Sequence, residues 1–558
     1  MSAKFEGCAR HVQWLLASTV LMSGFAGVIA ASAKDHDFRT EPGNLLLSRV
    51  LYDNNPNNVS VGSSLPPGCA PANCVTAVNN GVYPYVFNNA PIDGSFGITS
   101  KIVLDQLTPH GERISSFEVP NSSQPRVTST ADQMVGSFSS KSEVALNLST
   151  NGNHVTFMGY YAPIDTLDVS NSNTPGVFDK TNPVPSSFYR VVADLDREGD
   201  LHFTATNAYS GNNGRAAILH PYRWQNLIYT AGNAGNGGNP QPPLVIVAAG
   251  AQGLLESSLP LYAQNPGTPT PFGSFNVTQL GDKADKIGKD DNFRGLTIFN
   301  NVVYLSKGSG GNGVDTVYFI DNGPANGQPS ACATDGTGLP APSATLPTTP
   351  LAIPSNVQTA GLPSNMCILK GFPTELATTS TNSFPFGIWF ANVTTLYVAD
   401  EGDGTNTYDA STNTYTDAAA QTRAGLQKWV LQNGEWTLVY TLQAGLNLGT
   451  PYTIKGYPTG LNTGYKGLPW SPATDGLRNL TGRVNDDGTV TIWAITSTVS
   501  GSGDQGADPN KFVVIQDKLA ATTLPANESF RTVQTARFAE VLRGVSFTPG
   551  TDRSHGYH

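Results

Sequence analysis

FPFGIWFANVTTLYVADEGDG, residues 384–404, followed after a polar loop by GLQKWVLQNGEWTLVYTL, residues 425–442, decides the fold. Two apolar-rich runs, 387–391 and 396–399, are joined by the tight turn Asn392-Val393-Thr394-Thr395. Two more, 426–431 and 437–442, flank Asn433-Gly434, a dipeptide that tolerates positive φ at both positions and so favours a type I′ hairpin turn. The stretch therefore reads as one antiparallel sheet of four short strands. Such a sheet has two apolar faces and cannot bury both alone, so it must stack on copies of itself.

Copies are present along the chain. DLHFTATNAYSGNNG (200–214), NLIYTAGNAGNGG (226–238), VVYLSKGSGGNG (302–313), TLYVADEGDG (395–404) and TVTIWAITSTVSGSG (489–503) each run from an alternating apolar strand into a Gly-rich loop. These read as second strands of successive units. First strands recur as NFRGLTIFNN (292–301), FPFGIWFANV (384–393), LRNLTGRVND (477–486) and VLRGVSFTPG (541–550). The expected fold is all-β, a β-propeller of about seven four-stranded blades, with a more regular β-helix as the alternative. The ends fit a ring. VLRGVSFTPG is a first strand with no partners after it, and LLLSRVLYD (45–53) is a second strand with nothing before it. Joined, they complete one blade and are expected to close the ring, leaving no free sheet edge.

Composition agrees with this architecture. The 558 residues include 58 Gly and 39 Pro with only 13% charged side chains, which favours many short strands and turns over helices. Lys4 and Arg10 precede an apolar run over 12–30 that ends in Ala31-Ser32-Ala33, so residues 1–33 read as a secretory signal peptide, with a membrane anchor as the alternative. A lead-in follows at 34–44, then one propeller domain over 45–550 with insertions at 54–97 and 323–373, and a tail at 551–558. Localisation is expected to be secreted or periplasmic, without a membrane span after signal cleavage. Loss of the signal removes Cys8 and leaves Cys69, Cys74, Cys332 and Cys367, an even set expected to form the local disulfides 69–74 and 332–367. A net charge of −10 argues against a nucleic-acid partner, because phosphate binding needs a basic surface.

This blade pattern resembles secreted propellers of the phytase-like, lactonase-like and NHL-like kinds. Within the phytase-like group, LYVADEGDG followed by GLQKWVL is similar to a strand, acidic loop and strand element that supplies calcium ligands. The resemblance implies function at one face of the ring.

In ordinary propeller geometry the head of each first strand and the loop after each second strand share one end of the channel. Arg294, Arg543 and Phe386, with Arg478, are thus expected near Asp400, Glu401 and Asp403. The arginines suit a carboxylate or phosphate through bidentate bonds, against the alternative that they bond strand-end carbonyls. Asp400, Glu401 and Asp403 offer hard oxygen ligands for calcium, the one cofactor expected, against a plain solvated turn. Asp194, Asp196, Glu198 and Asp200 read as a polar hairpin turn, and Lys307 opens a glycine loop able to nest an anion. His202, alternating with Leu201 and Phe203, reads as a strand residue able to face the channel. No Gly-x-Ser-x-Gly elbow or metal-spaced histidine set is present. Two functions follow. One is a propeller that binds a small molecule, glycan or protein through one face; the other is a calcium-dependent hydrolase of phosphoesters or lactones with its site at the channel.

Overall fold

The computed structural model describes residues 38–60, 62–65, 69, 74–76, 97–125, 127, 132–140, 142–178, 184–222, 225–233, 250–262, 277–279, 282–283, 292–309, 313–321, 366–377, 383–463, 466–502 and 506–552. It is an all-β propeller of six antiparallel blades. Blade one runs from the inside outward as Glu540–Phe547, Leu45–Leu51, Thr99–Leu107 and Arg113–Glu118. Blade two is Asn147–Leu148, His154–Tyr160, Arg190–Asp196 and Leu201–Thr206. Blade three is Gly214–Tyr222, Gln225–Gly232 and Ala251–Leu255. Blade four is Gly295–Phe299, Val302–Lys307, Thr316–Ile320 and Met366–Ile368, which Val277–Gln279 extends in parallel. Blade five is Pro385–Asn392, Thr395–Asp400, Gly425–Gln432 and Glu435–Leu442; blade six is Ala473–Val484, Thr489–Val499, Lys511–Lys518 and Arg531–Thr535.

Local chemistry sets these hairpins. Asn433 and Gly434 take φ of 53° and 83° between the paired Gln432 and Glu435, as a type I′ turn requires. Asn300 and Asn301 do the same for the first hairpin of blade four, at φ of 47° and 59°.

The termini meet within blade one, where Leu45 pairs with Phe547 and Leu51 with Glu540. Two expectations are corrected. The blades number six, not seven, because Leu201–Thr206 is the outermost strand of blade two rather than the second strand of another blade. His202 therefore stands across from Asp194 on the rim side of its sheet, away from the channel. Nor is the ring closed in the sense expected. The pairing of the termini completes a single blade, the six sheets remain separate ladders, and each keeps an outer end strand.

Blades meet instead through interdigitated apolar faces. One core joins blades three, four and five around Phe293, Tyr304, Phe390, Trp429 and Trp436; another joins five and six around Tyr397, Leu426, Ile492 and Ile515. Near the axis the approach is backbone to backbone. A Cβ on Gly295 would lie 1.9 Å from the Phe386 carbonyl oxygen, one on Gly387 2.5 Å from that of Arg478, and one on Gly544 2.5 Å from the Leu146 nitrogen. That proximity explains why glycine recurs at the heads of the inner strands.

Cys69 and Cys74 form a disulfide with Cα atoms 5.6 Å apart, on the loop between the short strands Ser64–Leu65 and Val75–Thr76. Residues 1–33, Cys332 and most of the 323–373 insertion lie outside the described residues. Among the described residues, no helix is long and apolar enough to cross a membrane.

Candidate functional site

The inner strands bring Arg215, Arg294, Arg478 and Arg543 to one end of the channel, each from a different blade. Phe386 occupies the matching place on blade five, and Glu143 sits just before the short inner strand of blade two. The arginines retain only 5–7% of their surface. Their position follows from the pattern noted above: a side chain preceding or following the glycine of close approach is held where six strands converge.

Glu401, on the loop leaving the second strand of blade five, is the acidic centre of this end. Its Oε2 accepts from Arg478 Nε at 3.1 Å, and its Oε1 lies 3.9 Å from Arg294 Nε. Arg294 also donates through Nη1 to Ser142 Oγ at 2.5 Å and through Nη2 to Ser309 Oγ. Arg215 donates to Asn292 Oδ1 and, at 2.9 Å, to the Phe293 carbonyl. Arg543 donates to the Phe138 carbonyl at 2.5 Å. Glu143 accepts on Oε1 from the Tyr160 hydroxyl and from Asn213 Nδ2, the latter at 2.9 Å.

Four buried guanidiniums thus share this end of the channel with Glu143 and Glu401, and the charge of Asp315, which is paired with Lys307, also reaches Arg294. Burial lowers the pKa of Arg294, with Glu401 opposing the shift and Arg478 adding to it. Burial, reinforced by the like charge of Arg294, drives that of Arg215 further down. In both, loss of water around the guanidinium is the larger cause. Arg190 is a useful contrast. It is equally buried, but its three nitrogens bond the carbonyls of Phe188, Ser172 and Asn212, so it is a pin between loops. By comparison, among the described residues Nε of Arg215 has no hydrogen-bond acceptor, and Nε of Arg294 has only the ion-pair approach of Glu401 at 3.9 Å.

The three residues expected to bind calcium have divergent side chains. Asp400 turns back into its own blade, accepting from the Phe384 and Gly402 amides at 2.8 and 3.0 Å and from Gln427 Nε2 at 3.0 Å. Burial pushes its carboxyl up to about 7. Asp403 Oδ1 accepts from the Thr405 amide at 2.8 Å, while Glu401 points to the arginines. Among the described residues, no group of three or more His, Cys, Asp or Glu side chains is placed to hold a metal ion. Lys307 is buried in an ion pair with Asp315, 2.7 Å away, and the following residues 310–312 lie outside the described residues. Asp196 Oδ1 caps the hairpin turn at the Asp200 amide, at 2.8 Å, whereas Asp194 is buried inside the strand beside His154.

Arg215 and Glu143 escape a reading by strand order. The run beginning at Arg215 resembles a third strand by composition, although an arginine beside glycine at a strand head was the available signal. Glu143 precedes a strand of only two residues, too short for periodicity to reveal.

Beside Arg294 and Phe386 the channel narrows to a cavity of about 10 Å³, which these two residues line together with Ala145, Ala216, Ile388 and Asn479, room for no more than a water. Beyond it opens a separate funnel of about 380 Å³ bordered by Leu148, Ile218, Trp389, Phe390 and Phe547.

No protein family and no curated protein matches the chain. Among solved structures, it is similar to Pyrococcus horikoshii acylaminoacyl peptidase at 8% identity and a TM-score of 0.22, covering 79% of this chain and 43% of that one. A second structure, acylaminoacyl peptidase in complex with Z-Gly-Gly-Phe-chloromethyl ketone, aligns at 10% identity and a TM-score of 0.19, covering 72% and 47% respectively. The chain spans less than half the length of either.

Proposed function

We propose that this propeller is a ligand-binding protein that captures the anionic end of a small molecule, a carboxylate or phosphate group, at the arginine end of its channel. The observation that carries this reading is the gathering of Arg215, Arg294, Arg478 and Arg543 at one end of the channel, where Glu401 pairs with both Arg294 and Arg478 and the Nε of Arg215 has no hydrogen-bond acceptor among the described residues. Guanidinium donors in a dry setting bind oxyanions strongly and directionally.

Calorimetric titration with succinate and inorganic phosphate at low ionic strength tests the reading. Binding of at least one is expected, weakening with added salt and by at least about tenfold in Arg215→Met. Absence of binding by both anions rejects it.

A further inference from the structure

We propose that the separate funnel of about 380 Å³ is a second binding site, one for a neutral saccharide of one or two rings. The proposal stands apart from the anion-binding reading of the arginine end. Inner strands of all six blades contribute to the funnel wall, and its volume falls in the range of small-molecule sites, about 300–1,000 Å³. Much of that wall is apolar, with Ile218, Phe390 and Phe547 among the buried side chains that form it.

The polar groups set into this wall select the ligand class. Thr297 on blade four, Thr481 on blade six and Ser546 on blade one line the funnel, and their hydroxyls form no hydrogen bond among the described residues. Thr297 and Ser546 are buried as residues, yet their oxygens are not closed to solvent as the unpaired hydroxyls of Thr316 and Thr474 are. Asn147 Nδ2 donates to the Ala217 carbonyl at 3.0 Å, which fixes the amide and leaves Oδ1 as an acceptor without a donor. Half-buried Trp389 lays its ring against Gly482, where a Cβ would lie 2.7 Å from it, and its Nε1 donates to no described residue. Open donors and acceptors therefore alternate with apolar surface.

A saccharide carries the same combination, C–H faces beside hydroxyls that both donate and accept. A wholly apolar ligand would bury these groups without partners, at a cost for each. A charged one would lose its hydration with no opposite charge deep in the site, because the ionisable side chains that line the funnel among the described residues, Arg483 and Asp552, are both exposed.

Calorimetry on the full chain tests the proposal with the methyl glycosides of glucose, galactose and mannose, with maltose, cellobiose and lactose, and with cyclohexanol and cyclohexanecarboxylate as hydroxyl-poor and charged comparators. At least one sugar is expected to bind, at least about tenfold more tightly than either comparator. Thr297→Val with Ser546→Ala should weaken that sugar by about tenfold, and Thr481→Trp, which fills the funnel, should abolish its binding. Thermal melts report whether each variant is folded. Binding by no sugar overturns the proposal, and so does a comparator that binds as tightly as the best sugar. Sugar binding unchanged in either folded variant places the sugar elsewhere and overturns it too. The ligand comparison uses the unaltered chain, so it decides the ligand class even if both variants misfold.

Discussion

The Nε of Arg478 on blade six donates to Glu401 Oε2 at 3.1 Å, and the other oxygen of the same carboxylate lies 3.9 Å from Nε of Arg294 on blade four. One side chain from blade five thus holds its two neighbours together at the axis. Removing it leaves two buried guanidiniums facing each other, which is costlier than losing a surface ion pair. Glu401→Ala is expected to destabilise the protein by about 3–5 kcal/mol, read as a shift in the guanidinium chloride midpoint. A change below about 1 kcal/mol would show that the two arginines do not depend on this carboxylate.

A second buried pair works between blades five and six. Lys428 Nζ lies 2.9 Å from Asp517 Oδ2, Tyr440 donates to Asp517 Oδ1 at 2.6 Å, and the Tyr397 hydroxyl reaches Oδ2 as well. Lys428→Met strands a carboxylate and is expected to cost about 3–5 kcal/mol; Lys428→Met with Asp517→Leu should recover much of that. Denaturant melts of both variants check this, and an additive double variant refutes the coupling.

Stability should fall with rising pH on account of Asp475 and Asp400. Burial pushes Asp475 up to about 8 and Asp400 up to about 7, above the ordinary aspartate value near 4. Between pH 4 and these values the folded state holds more protons than the unfolded chain, so its advantage shrinks as pH rises and levels off above about 8. Asp475→Asn, which keeps the shape beside Gln421, should make unfolding less sensitive to pH between 5 and 8. Identical pH profiles for variant and parent would contradict the assignment.

Glycine substitutions separate backbone approach from turn conformation. A Cβ on Gly295 meets the Phe386 carbonyl oxygen at 1.9 Å, whereas at Gly434 nothing lies within 4 Å and only the φ of 83° resists a side chain. Gly434→Ala is expected to cost about 1 kcal/mol and Gly295→Ala several times more, because two inner strands must part. Thermal melts that rank the two the other way would count against glycine-mediated packing at the axis.

Much of this was legible in residues 384–442. The hairpin at Asn433-Gly434, the four-strand unit and the pairing of the two chain ends all follow from local turn chemistry and apolar alternation, which act over a few residues. The blade count did not follow. Leu201–Thr206 and Gln225–Gly232 look alike as isolated strands, and only sheet pairing makes one an outer strand and the other a second strand. The gathering of Arg294, Arg478, Arg543 and Phe386 at one end could be anticipated from their places at strand heads, whereas Arg215 was hidden by the same ambiguity of strand rank.

What the amino-acid sequence determined by itself is the class of structure: short alternating strands, glycines at strand heads and a final strand that needs a partner from the beginning of the chain. The tertiary structure alone decided where each charged side chain points. Asp400, Glu401 and Asp403 are near neighbours in the chain, yet one turns into its sheet, one faces the arginines and one caps its own loop. The physical reason is that side-chain direction in a loop depends on which donors the fold delivers: Asp400 and Asp403 meet amides of their own blade and loop, whereas Glu401 meets guanidiniums brought in from the two neighbouring blades.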